Sequence, residues 1–156
     1  MKATTPSIDT SGTNIGMHSL FVDTDVILDL FVRREPHHSI ALRFLSFLRK
    51  RNIQGLTSPV AIANTYYILA KIKNRRYAIE KVRRLRQLIR IATVDQKVID
   101  AALQAPYKDF EDSIQCQCAI SNGLGLLITR NVSDYPKDQV KVLLPDEYMT
   151  ITELRE

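Results

Sequence analysis

The stretch Leu20-Phe21-Val22-Asp23-Thr24-Asp25 decides the fold of this chain. Three consecutive apolar residues read as a buried strand, and the run stops on two carboxylates. In parallel sheets the chemistry collects beyond the carboxyl ends of the strands. A carboxylate buried there needs a partner or a metal, so packing alone does not account for Asp23. Thr24 and Asp25 have an ordinary alternative as N-caps of the helix that follows, a position both residue types favour.

Two segments further along repeat the theme. In Lys108-Asp109-Phe110-Glu111-Asp112-Ser113-Ile114-Gln115, Asp109 is a natural N-cap, and Glu111 and Asp112 fall in the first turn, where negative charge suits the helix dipole. In Leu126-Leu127-Ile128-Thr129-Arg130-Asn131-Val132-Ser133-Asp134-Tyr135, an apolar run again ends on polar residues, which also suit a turn. Each segment has a structural explanation of its own. Their joint placement predicts an acidic, metal-binding pocket.

Between these landmarks the chain alternates short apolar runs with amphipathic stretches, the pattern of an α/β domain with a parallel sheet. Strands are expected over residues 20–22, 55–57, 91–94, 126–129 and 140–144. Ile40, Phe44, Phe47 and Leu48 share one helical face after Pro36, and Ile79, Val82, Leu85 and Ile89 share another. Val98, Ala101, Ala102 and Leu103 predict a helix that ends before Pro106. Ile114, Cys118 and Ser121 carry one to a stop at Asn122-Gly123. Pro145 opens a last helix with Tyr148, Met149 and Leu154.

With 156 residues the chain is long enough to bury a core without staples. Residues 1–16 are polar and are expected to form a disordered tail, with residues 17–156 as one domain and Met17 a candidate start. There is no secretory apolar segment and no run long enough to cross a bilayer, so a soluble, cytoplasmic protein is expected. Cys116 and Cys118, two apart on a helix, do not face each other and read as buried thiols of a reduced compartment. His18, His37 and His38 lack metal-ligand spacing and are expected on the solvated surface. No phosphate-binding glycine loop or serine elbow is present.

The net charge is +5 and the pI about 9.3, which favours an anionic partner. Much of the excess lies in residues 71–90, where Lys71, Lys73, Arg75, Arg76, Lys81, Arg83, Arg84, Arg86 and Arg90 face a single acid, Glu80. The apolar residues there keep a helical period, so the basic groups are expected on the outer face of a helix or helical hairpin. Solvated faces usually mix signs; this one reads as a surface for a phosphate backbone or an acidic protein.

Taken together, the three acidic segments resemble the PIN domain, a family of metal-dependent ribonucleases that includes the VapC-like toxins of toxin–antitoxin pairs. The resemblance runs from Ser19 to about Leu154 and rests on Asp23-Thr24-Asp25, on Asp112 within its segment, and on Thr129, Arg130, Asn131 and Asp134. It implies a three-layer α/β/α sandwich around a mainly parallel sheet of about five strands. It implies Mg²⁺ or Mn²⁺ held by Asp23, Asp112 and Asp134, with Asn64, Asn131 and Thr129 as polar support in the catalytic site. Arg130 and the basic residues from Lys71 to Arg86 would grip RNA. An antitoxin and a second copy of the chain are the expected protein partners, with Tyr66, Tyr67 and Ile68 as a dimer face. Two positions depart from the family: Asn64 stands where a Glu is usual, and Asn131 where some members carry an acid, which leaves Asp134 to supply charge. The site therefore loses a negative charge, and the alternative is a weak or inactive PIN-fold module that binds RNA or protein.

Overall fold

In the computed structural model, which describes residues 18–105 and 108–156, the opening apolar run is the central strand. The tail expected over residues 1–16, together with Met17 and Pro106, lies outside the described residues. The elements run β1 (Ser19–Val22), α1 (Thr24–Asp29), α2 (His37–Lys50), β2 (Gln54–Thr57), α3 (Pro59–Ile72), α4 (Arg75–Leu88) and β3 (Arg90–Ile91). They continue with α5 (Gln96–Gln104), α6 (Phe110–Ser121), β4 (Leu126–Ile128), β5 (Lys141–Leu143) and α7 (Pro145–Glu153), with a 3-10 turn at Val132–Asp134 before β5.

All five strands are parallel, in the order β3-β2-β1-β4-β5. The period-2 pleat sends alternate side chains to opposite faces. Leu20, Val22, Leu126 and Ile128 pack on one face with Val26, Ile27, Phe44, Leu48, Leu85 and Tyr148. Phe21 and Leu127 pack on the other with Val98, Ala102, Ile114 and Ala119. Helices thus cover both faces, which makes three layers. Leu20, Phe21 and Val22 are all buried, each contributing about 1.5–3 kcal/mol.

The chain leaves β1 for β2 and β3 on one side, then crosses to β4 and β5 on the other. That reversal opens a crevice beyond the carboxyl ends of β1 and β4, the usual place for a ligand in such sheets. The two strand ends are tied by the Asp23 N–H, which donates to the Ile128 carbonyl at 2.9 Å.

Several helix signals read from the sequence act as expected. Pro145 occupies the first turn of α7, Asp109 caps α6, and α6 stops at Asn122 with Gly123 in the left-handed region at φ 70. The N-cap of α1 is a correction: it is Asp23, not Thr24 or Asp25. Strand β3 is two residues long and ends at Ile91, short of the span expected to Val94, because it is an edge strand paired only with β2. Ile79 and Leu103, expected on buried helical faces, are 42% and 67% exposed. Leu85 and Ile89 of the α4 face are buried as expected, with Ala78 in the place given to Ile79. His37 and His38 are half-buried rather than solvated, and His38 Nδ1 lies 2.8 Å from the Asp29 carbonyl oxygen. Cys116 and Cys118 are buried, and no helix among the described residues is long and apolar enough to cross a membrane.

Candidate active site

The crevice is lined by the ends of β1 and β4 and by the first turn of α6. Asp23 is only 5% exposed, and its carboxylate is fully engaged. Oδ1 accepts from the Thr24 N–H at 2.7 Å and from Gln115 Nε2 at 3.2 Å. Oδ2 accepts from the Thr129 hydroxyl at 2.9 Å and the Tyr135 hydroxyl at 2.7 Å. A buried carboxylate needs donors of this kind to offset the water it has lost.

Asp25 lies alongside. Its Oδ1 accepts from the Val26 N–H at 2.7 Å. Its Oδ2 accepts from the Arg130 N–H at 3.1 Å and Asn131 Nδ2 at 3.0 Å, and stands 3.2 Å from the Thr129 hydroxyl. Thr129 and Tyr135 therefore each face two acids with one proton. Thr129 spans Asp25 and Asp23, while Tyr135 spans Asp23 and Asp112, whose Oδ1 is 3.4 Å from the phenol oxygen. The result is a row of three carboxylates joined by two hydroxyls, and the hydroxyls have too few protons to serve both neighbours fully.

Protonation reflects this crowding. Burial first, and then the charge of Asp23, push the Asp25 carboxyl up to about 6. Burial pushes Asp112 up to about 7, helped by the negative charges of Asp23, Asp109, Asp134 and Glu111. Burial and the neighbouring carboxylates hold the Tyr135 phenol far above its usual range, so it keeps its proton. A set of oxygen donors whose mutual repulsion a cation would relieve suits a hard divalent ion. The present geometry is not closed around one: among the described residues, no three acidic, histidine or cysteine side chains stand near enough together to hold a metal.

Of the residues expected in the site, Asp23, Asp112, Thr129 and Asn131 come together. Asp134 is exposed on the 3-10 turn, near enough for its charge to act on Asp112. Asn64 is half-buried on α3, and its side chain makes no hydrogen bond among the described residues. Arg130, expected on the RNA surface, has its side chain turned to the buried Asp29: Nε lies 2.6 Å from Asp29 Oδ2, an ion pair whose N–H is not aligned as a hydrogen bond. Burial raises the Asp29 carboxyl and Arg130 opposes that rise.

Three participants carry no signal of their role in the sequence pattern around them or only a partial one. Gln115 is completely buried and donates to the Thr24 hydroxyl at 3.0 Å as well as to Asp23. Its carbonyl oxygen accepts from the Ser58 hydroxyl, and Ser58 caps α3 at the end of β2. Tyr135 completes the set. Ser58 carries the signal of a cap after a strand, but nothing local announces Gln115 or Tyr135 as partners of Asp23.

The basic residues lie elsewhere. Helices α3 and α4 pair as a hairpin with Asn74 capping its second arm. Lys71 lies 13 residues beyond Ser58, so the tip is roughly 20 Å along the helix axis from Ser58. Lys71, Lys73, Arg75, Arg76, Arg83, Arg84 and Arg86 are exposed. Lys81 departs from the expected outer face: it is half-buried, 3.6 Å from Glu80 and set over the Tyr77 ring, which Lys73 also covers. Arg75 donates to the Tyr66 hydroxyl at 3.2 Å. Of the expected dimer face, Tyr67 is 58% exposed, while Tyr66 and Ile68 are half-buried.

Comparison with known proteins agrees with this architecture. A family model described as the PIN domain matches residues 19–133. Ribonuclease VapC1 of Aquifex aeolicus (strain VF5) is 27% identical over 134 residues, covering 83% of this chain and 92% of that protein. Among solved structures, VapBC2 from Rickettsia felis, bound to a DNA fragment from its promoter, gives a TM-score of 0.65 at 14% identity, covering 81% of this chain and 98% of the other. VapC20 from Mycobacterium tuberculosis, described as a Sarcin-Ricin loop cleaving toxin, gives 0.56 at 18% identity, covering 76% and 91%. At such identities these structures speak to the fold, an α/β/α sandwich on a five-stranded parallel sheet.

Proposed function

The chain belongs to the PIN-domain family, and on that footing we propose that it is an endoribonuclease dependent on Mg²⁺ or Mn²⁺ and the toxin of a toxin–antitoxin pair. The observation that carries this reading is the row Asp25–Thr129–Asp23–Tyr135–Asp112 in the crevice between β1 and β4. Asp23 and Asp112 are the principal metal ligands, and Asp134 is a further ligand or orients a water from the rim. When bound, the ion would polarise a phosphate oxygen and lower the pKa of an attacking water. Thr129 and Gln115 hold Asp23 in place. Asn131 Nδ2, already on Asp25, steadies the loop that carries Asp134. The exposed cations of α4 bind the RNA backbone or an acidic segment of an antitoxin, and the exposed Tyr67 is part of a face for a second copy.

The names of the Aquifex and Mycobacterium proteins support the ribonuclease and toxin parts of this reading. Asp23→Asn and Asp112→Asn should each lower metal-dependent RNA cleavage by at least about 100-fold, as for lost transition-state electrostatics, with the circular dichroism spectrum unchanged. Full cleavage by both variants would reject the assignment. A second reading, a non-catalytic PIN-fold module that binds RNA or protein, is favoured by Asn64, which brings no charge to the site. It predicts RNA binding without cleavage under every metal condition.

A further inference from the structure

Tyr135 follows the 3-10 turn, with its backbone N–H donating to the Val132 carbonyl at 3.3 Å. Its ring belongs to the apolar layer beside Ile114 and Leu127 and is 4% exposed. The ring therefore has little freedom to swing out. Its hydroxyl is consequently held between the two carboxylates that the metal reading makes principal ligands, 2.7 Å from Asp23 Oδ2 and 3.4 Å from Asp112 Oδ1.

That oxygen of Asp23 accepts from both the Tyr135 and the Thr129 hydroxyls, so a cation that takes it must displace a hydrogen bond. We propose that Tyr135 is a positioning residue that acts as an internal competitor for the metal. Its hydroxyl proton satisfies Asp23 Oδ2 while the site is empty, and a divalent cation binds only by taking that oxygen from it. Thr129 also donates to that oxygen, at 2.9 Å, but its second neighbour is Asp25; of the two hydroxyls, Tyr135 is the one that stands between Asp23 and Asp112. A hydroxyl on an ionised carboxylate makes a charge-assisted bond, roughly twice as strong as a neutral one. Competition from it should hold the metal affinity down. The same hydroxyl places a positively polarised hydrogen between two adjacent acids.

The inference rests on the metal reading proposed above, and one titration separates the two. Mn²⁺ is titrated calorimetrically into the wild-type chain and into Tyr135→Phe, which keeps the buried ring and removes only the hydroxyl. The variant should bind Mn²⁺ about three- to tenfold more tightly, the scale of one hydrogen bond that no longer competes. Equal or weaker binding by the variant overturns the competitor role and leaves the metal reading standing. No heat of binding from either chain overturns both. Should the variant fold poorly, the wild-type chain still decides. Saturating Mg²⁺ should shift its near-ultraviolet tyrosine absorbance as the phenol leaves the carboxylate, and a flat difference spectrum overturns the proposal.

Discussion

Asp112 sits in the first turn of α6 with its carboxyl pushed up to about 7 by burial and by the acids around it, and Asp25 is pushed up to about 6. Both carry an ordinary value of 3.8 when free of those surroundings. A raised folded-state pKa means that the folded chain holds protons that the unfolded chain has already released. The stability conferred by that proton is full below about pH 4 and is lost as pH rises towards 7. Removing the charge at Asp112 should therefore stabilise the protein more at pH 8 than at pH 5. Thermal unfolding in EDTA should show Asp112→Asn gaining on wild type by a few °C across that range, on the order expected for a domain of this size. Mg²⁺ should erase the difference by stabilising the ionised wild-type site. A gap that does not change with pH would contradict the electrostatic account. At this scale the sequence revealed the acids and two of their partners, Thr129 and Asn131, but not Gln115 or Tyr135. Asp23 and Asp112 stand out because a strand end and a helix first turn are local signals. Gln115 and Tyr135 reach Asp23 across 92 and 112 residues, and a neutral side chain that gains meaning only from such a long-range pairing leaves no local pattern.

Among the elements, the α3–α4 hairpin carries a run of exposed cations. On α4 the apolar stripe is Ala78 and Leu85, and Arg83, Arg84 and Arg86 project on the exposed side, with only Glu80 close to Arg84, at 3.7 Å. Reversing these three arginines to glutamate should weaken RNA binding and flatten its salt dependence by up to about one unit of slope for each phosphate no longer neutralised. Mn²⁺ binding should be unaffected, since the crevice contains none of them. Unchanged RNA affinity and slope would move the RNA surface elsewhere. The hairpin was legible as a basic amphipathic stretch, but the depth of each position was not. Ile79 is exposed because the buried stripe of α4 runs through Ala78 and Leu85, one residue out of step with it. Lys81 is half-buried because the aliphatic stem of a lysine can lie along an apolar surface while Tyr77 and Glu80 meet its ammonium group. The central strands were legible because β1 and β4 are apolar on both faces, as buried parallel strands are. Edge strand β3 was misplaced because two paired residues carry almost no pattern.

For the whole molecule, a chain of net charge +5 holds Asp23, Asp25 and Asp112 at the strand switch point and a run of exposed cations on a hairpin whose tip is roughly 20 Å along α3 from Ser58. A polyanion would be drawn to the cations, whereas the acids repel it unless a divalent ion stands between them. Binding and cleavage should therefore respond differently to metal: cations on α4 need none, and the crevice does. The most direct measurement is cleavage of a mixed single-stranded RNA pool in Mg²⁺, in Mn²⁺ and in EDTA, with RNA binding followed in the same samples. The account predicts cleavage with a divalent ion, none in EDTA, and binding retained in all three. Cleavage that persists undiminished in EDTA, or binding without cleavage in either metal, would contradict it.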